Sequence, residues 1–533
     1  MNEEEKTEEI KTSKKGGKKG WIILLVILGL ALIGGAVYLL LTNKDSNKKE
    51  VNTETEVKKS AYYMSGNSLQ KFDLAFLKLE NEKKNMIYSP LSIKYALEML
   101  AEGAKGTSKS QIDGIIGEYV AKKYTNSKNM SFANAMFIRD SFKDKVLPTY
   151  AENLTNKYNA EVIYDSFNSA KTINNWISEK TLKLLDNLVD DGAVQQLNFA
   201  LVNALAIDMS WNYKIQASSS KSDAMSKLYS IKYSHEKYSE YIPIITDDNE
   251  YGSTKFDNNK MNAKTVEIGA SINNYDIVKT LGEANIRKTV GDEYKKWLAG
   301  DGKNDEMAEK DVNKFLDGYI KELNSNYKKA EGSTDFYLYD DIEVKTFAKD
   351  LKTYNGNTLQ YIGIMPKNVS LDSYINNIEV EKVNNIISNL KDIKSENFKE
   401  GVVTKVIGNI PLFKFDYKLK LQDDLKTLGV TDIFAQGKAD LSNLTSEKGN
   451  YISVEHKANI DFSNDGIKAS AATIGGGLGD ASGGFDYLYD VPVEIIDLTF
   501  NKPYMFLIRD KNSGEVWFSG TVYEPTKGVE KNK

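Results

Sequence analysis

A chain of 533 residues, 41% apolar and 27% charged, is long enough to bury a large core and to divide into more than one domain. Its net charge of −5, with no globular stretch that gathers Lys and Arg without matching acids, leaves no footprint for nucleic acid. The absence of cysteine removes disulfides, thiol nucleophiles and thiolate metal sites, and just two histidines, His235 and His456, rule out a His-rich metal centre and leave few bases for a catalytic triad. No metal, no cofactor and no enzymatic activity are expected.

Residues 1–20 end in the lysine cluster "KTSKKGGKKG" and read as a cytoplasmic basic tail. "WIILLVILGLALIGGAVYLLL", residues 21–41, carries no charge, and about 21 helical residues span roughly 30 Å, one hydrocarbon core. An uncleaved single-pass anchor is expected. The lysines before it place the N-terminus in the cytoplasm and the rest of the chain outside the cell membrane. Residues 42–60 are a polar linker, and the globular part runs over 61–528.

Within it, "NMIYSP" (85–90) is a short buried strand or turn leading into the helical spacing of "LSIKYALEMLAEG". Ile173, Trp176, Ile177 and Leu184 share one helical face. "FALVNALAIDMSW" (199–211) is a central strand, too continuously apolar for an edge. A polar, Tyr-, Lys- and Asn-rich stretch over about 216–335 reads as a surface insertion with some helix. The C-terminal part is strand-rich: "IPLFKFDYKL", "VEHKANIDF", "YMFLIRD" and "EVWFSGTVYEP". Helices dominate the first half and strands the end, so the class is α+β.

"DGIKASAATIGGG" (465–477) sets small residues between glycines. With period two, Ile467, Ala469, Ala471 and Thr473 lie on one side of an extended chain, with Lys468, Ser470 and Ala472 on the other. It is strand-compatible and has no evident partner.

Taken together, these segments resemble the serpin family. "NMIYSPLSIKYALEMLAEGAKGTSKSQI", "ANAMFIRDSF", "YNAEVIYDSF", "INNWISEKT", "LVNALAIDMSW", "LKTLGVTDIF", "VEHKANIDFSNDGIKASAAT" and "FNKPYMFLIRDKNSGEVWFSGTVYEP" follow in family order. The Lys-, Asn- and Ile-rich usage points to a bacterial-type member.

The resemblance implies helices packed around three β-sheets and an exposed reactive-centre loop, here about 464–493. It also implies a partner, a serine or papain-like cysteine protease, trapped as an acyl-enzyme when the cut loop inserts into the central sheet as a new strand. The family's hinge maps onto Gly466, Ile467, Lys468, Ala469, Ser470, Ala471, Ala472 and Thr473. Its sheet-opening control residues map onto Ser89, Ser92, Asn203, Trp211 and His456.

The loop is about a dozen residues too long for the family spacing. Counting forward from Gly466 gives Asp480 and Ala481 as the scissile pair, counting back from Phe500 gives Pro492 and Val493, and Tyr487, Leu488 and Tyr489 form an exposed bait between them. Ile467, where inhibitors usually carry Thr or Ser, suits a strand but overpacks and slows the start of insertion, and the glycines at 475, 476, 477 and 479 weaken an inserted strand. They keep a non-inhibitory reading open, with the loop cleaved as plain substrate or the insertion used as a binding surface.

Overall fold

The computed structural model describes residues 57–525, outside 186–187, 214, 218–230, 233–255, 258–259, 262–264, 301–308, 333–335, 449–451, 453, 455, 464, 468–484, 486 and 488. The expected tail, anchor and most of the linker therefore lie outside the described residues. Among the described residues no helix is long and apolar enough to cross a membrane.

Along the chain come α1 (Lys71–Leu79), β1 (Met86–Tyr88), α2 (Pro90–Gly103), β2 (Met130–Arg139), β3 (Ala160–Asp165), β4 (Phe199–Ile207) and β5 (Met209–Ser210). The middle adds β6 (Thr265–Asn273), the helices α3 (Glu283–Gly300) and α4 (Glu309–Asn326), then β7 (Lys329–Gly332), β8 (Phe336–Asp340), β9 (Val344–Asp350) and β10 (Leu359–Pro366). The end is almost all strand: β11 (Val403–Pro411), β12 (Phe413–Leu419), β13 (His456–Phe462), β14 (Gly466–Ile467), β15 (Val493–Asp497), β16 (Tyr504–Asp510) and β17 (Val516–Val522).

One sheet runs β1-β17-β16-β10-β9-β8 and ends on the short strand 391–392. Every residue of β10 and β17 is buried, as unbroken apolar runs covered on both faces require. A second sheet runs β7-β6-β11-β15, with β15 parallel to β11. The third lies in two leaves, β3-β2-β4 and β12-β13-β14-β5, joined because β5 follows β4 after Asp208 alone. The expected three-sheet α+β arrangement is present.

Part of the segment read as a surface insertion is not surface. β6 pairs along nine residues with β11, and its Val266, Ile268, Ala270 and Ile272 are buried in the main core. Its polar flanks obscured a period-two strand.

The helices start where their sequences supply caps. Ser89 accepts the Ser92 N–H at 3.1 Å, and Pro90 takes the first helical position, where no N–H is needed. Asp73 accepts the Gln70 N–H at 2.7 Å. Its other oxygen lies 2.6 Å from Lys94 Nζ, with both side chains fully buried. Burial pushes the Asp73 carboxyl up, and the Lys94 ammonium pulls it down by less.

Removing one partner leaves a buried, uncompensated charge, so Lys94→Ala is expected to lower stability by about 3–5 kcal/mol. Urea unfolding checks this, and an unchanged midpoint would contradict it.

Candidate functional site: a half-open sheet and its hinge

The two leaves of the third sheet meet at one end only. Among the described residues β4 and β13 do not pair with each other; between them stands β14, two residues long. Gly466 pairs with Ser210, and Ile467 pairs with Met209 on one side and Phe462 on the other, all antiparallel. β5 and β13 therefore run parallel, and a chain prolonged from β14 would be antiparallel to both.

The turn into β14 is tight because of its residues. Ser463 donates to the Gly466 carbonyl through its N–H at 3.0 Å and its hydroxyl at 2.9 Å. Trp211 holds the turn from below: its backbone N–H donates to the Asp465 carbonyl at 3.0 Å and its indole Nε1–H to the Ser463 carbonyl at 2.9 Å. The indole packs edge-on to Phe462 at 5.5 Å and Tyr361 at 6.1 Å. At 466 only glycine fits, since a Cβ would stand 2.5 Å from Ser210 Cα and nearer still to the Met209 carbonyl oxygen.

Deeper in the gap lie the polar residues expected to govern its opening. His456 Nε2 accepts the Ser89 N–H at 2.9 Å, which joins Ser89, Ser92 and His456 into one chain with the α2 cap. An accepting Nε2 places the ring's proton on Nδ1. Burial pulls His456 down to about 4, so it is neutral at pH 7 and buttresses the sheet.

Asn203 is not bonded to this group. Within its own leaf it donates through Nδ2 to Asn134 Oδ1 of β2 at 2.6 Å, and Asn134 donates to the Tyr158 carbonyl at 2.8 Å. Asn203 Oδ1 is buried without a hydrogen-bond partner among the described residues. Asn134 escaped the sequence reading because its role depends on the pairing of β2 with β4, which nothing local announces.

A histidine whose folded pKa is depressed is stabilising when neutral. The unfolded ring takes a proton near pH 6.5, the folded one only near 4. His456 is therefore expected to cost about 3 kcal/mol of stability as pH falls from about 6.5 to 4, and nothing further below that. Comparing the pH dependence of unfolding with that of His456→Gln checks this; identical profiles across the window would contradict it.

The far end of the loop departs from expectation. Tyr489 is buried and Tyr487 half-buried, with rings 4.9 Å apart. Val493 opens β15, paired with Val403, whose N–H donates to the Pro492 carbonyl at 2.9 Å. Tyr487 and Tyr489 are thus no exposed bait, because an apolar cluster built on α3 and α4 encloses them, and Pro492 and Val493 are tied to a sheet. Lys468, Ala469, Ser470, Ala471, Ala472, Thr473, Asp480, Ala481 and Leu488 lie outside the described residues, as does His235.

The model of the family described as "Serpin (serine protease inhibitor)" matches residues 69–267 and 331–525. The chain belongs to the serpin family. The match leaves out 268–330, which holds the end of β6 and the α3–α4 hairpin. A leukocyte elastase inhibitor of Xenopus tropicalis is 24% identical over 483 residues, covering 85% of this serpin and 97% of that protein. A serpin-like protein of Methanosarcina acetivorans is 22% identical, covering 83% and 82%. The crystal structure of a thermophilic serpin, tengpin, in the native state matches with a TM-score of 0.54 and 19% identity, over 88% of this chain and 97% of that one. Thyroxine-binding globulin complexed with thyroxine matches at 0.53 and 16%, over 86% and 98%. These structures share the fold.

Proposed function

We propose that this serpin is a cell-surface protease inhibitor, tethered by residues 21–41 with its N-terminus in the cytoplasm and its globular part outside. It acts as a suicide substrate for a serine or papain-like cysteine protease. The acyl-enzyme is caught when the cut loop continues β14 down the gap between β4 and β13, before water releases the protease. The serpin supplies no catalytic group.

The observation that carries this reading is the register of β14. Continued in step, residues 469, 471 and 473 come level with Ile460, Ala458 and His456, the residues of β13 that are buried. The small side chains of Ala469, Ala471 and Thr473 suit that side. The same register brings Thr473 level with Asn203, whose Oδ1 has no donor among the described residues, so the threonine hydroxyl has a partner there. Lys468 comes level with Asp208 and Asp461, so a lysine is the fitting charge there.

The tether rests on the length, apolarity and lysine flank of residues 21–41. The non-inhibitory alternative rests on Ile467 and on the glycines at 475, 476, 477 and 479, each costing a strand about 0.5–1 kcal/mol relative to Ala.

Cells carrying the full chain test the reading as a whole. Protease added outside should be lost from the medium and recovered in the membrane fraction, bound after boiling in detergent. Protease left free and fully active would count against it.

A further inference from the structure

We propose that the α3–α4 hairpin is a fastening for the distal arm of the reactive-centre loop, gripping it at Phe485, Tyr487, Tyr489 and Val491. The grip removes the loop's surplus length, so the uncut loop cannot fill the gap in the sheet.

The grip is built from aromatic side chains on two helices that the family model leaves out. Tyr294 and Phe315 stack at 3.8 Å, and the ring of Phe485 stands edge-on to Tyr294 at 5.1 Å and Phe315 at 5.7 Å. Tyr489 and Val491 are buried in the same cluster with Ile286, Val290, Ile320 and Val403. Tyr489 and Asp490 also pair with the strand 231–232. Together with the parallel ladder of β15 on β11, these ties hold the arm at Phe485, Tyr489, Val491 and β15.

Chain reach gives the grip its consequence, which rests on the insertion reading above. Filling the gap from the level of Asp208 down to Phe199 takes residues 468–477 in register, about 33 Å at about 3.3 Å per residue. The strand that carries the arm's β15, β11, leads from its Pro411 end through Leu412 to Phe413, the partner of Phe462 at the mouth of the gap. The arm enters β15 opposite Val403 at the other end of β11, no nearer the bottom of the gap. An uncut chain must travel back that distance, which takes about ten more residues at about 3.5 Å each. Roughly twenty are needed in all. Residues 468–492 would suffice; residues 468–484 do not. Without the hairpin the long loop could insert uncut, and with it only a cut frees the hinge side.

The test uses the purified full chain in detergent micelles, wild type beside Phe485→Ser and the conservative Phe485→Leu. Chymotrypsin digestion is mapped by mass spectrometry. The wild type and Phe485→Leu are expected to resist cutting after Tyr487 and Tyr489, and Phe485→Ser to be cut there at least tenfold faster. On warming, Phe485→Ser should also pass to an uncut, monomeric, urea-resistant form faster than wild type.

Wild type cut after Tyr487 or Tyr489 as fast as anywhere else in the chain, or a Phe485→Ser map and warming rate equal to wild type, would overturn the fastening. An intact Tyr487–Tyr489 segment together with no trapped protease would leave the fastening standing and remove the inhibitor reading alone.

Discussion

Gly466→Val is expected to turn this serpin from a trap into a substrate, lowering the share of protease encounters that end in a stable complex by at least about 100-fold. A Cβ at 466 stands 2.5 Å from Ser210 Cα, a backbone atom that cannot swing aside. Either β14 lifts off or β5 distorts, and both remove the two residues that, among the described residues, pair the leaves of the sheet at the gap. A clash of this kind costs about 1–3 kcal/mol and each ladder bond lost about 1 kcal/mol. A barrier raised by about 3 kcal/mol slows insertion about 100-fold, and deacylation then wins the race. The variant should still be cut, because the scissile bond is untouched. Titration of a fixed amount of protease measures the ratio of trapping to turnover; an unchanged ratio would contradict the hinge assignment.

The second large effect is thermal. Cleavage of the loop is expected to raise the melting temperature by about 10 °C or more, although it breaks a covalent bond. Before cleavage, among the described residues, β4 lacks a partner on the gap side and β13 has one only at Phe462. An inserted strand supplies ladders on both sides, at about 1 kcal/mol net per bond. At roughly 1 °C per kcal/mol for a domain of this length, about ten such bonds in excess of the ordering cost give a shift of this size. The uncut protein is then held by a barrier rather than by equilibrium. Scanning calorimetry before and after cutting within 468–484 reads the difference directly, and equal melting temperatures would favour a loop that is cut and stays out.

Much of this site was legible in the sequence because its parts obey local rules. Ser89 before Pro90 is a helix start in any context, and the apolar run 199–207 has to be a covered strand. What could not be read depends on residues far apart in the chain. The partner of Asn203 is settled by the register of β2 on β4, which brings Asn134 opposite it. Tyr487 and Tyr489 look like bait in isolation, and only the α3–α4 hairpin, much earlier in the chain, buries Tyr489 and half-buries Tyr487. β6 was hidden differently: Val266, Ile268, Ala270 and Ile272 alternate as a half-buried strand should, but the polar stretch on either side outweighed nine residues of signal.

The most direct test of the central claim mixes the full chain with a panel of serine and papain-like cysteine proteases. The products are resolved on a denaturing gel, and the released peptide is weighed by mass spectrometry. Trapping by continuation of β14 predicts a band of the summed mass that survives boiling in detergent, and a cut on the hinge side of Phe485. Complete cleavage by every protease, with no such band, would contradict it.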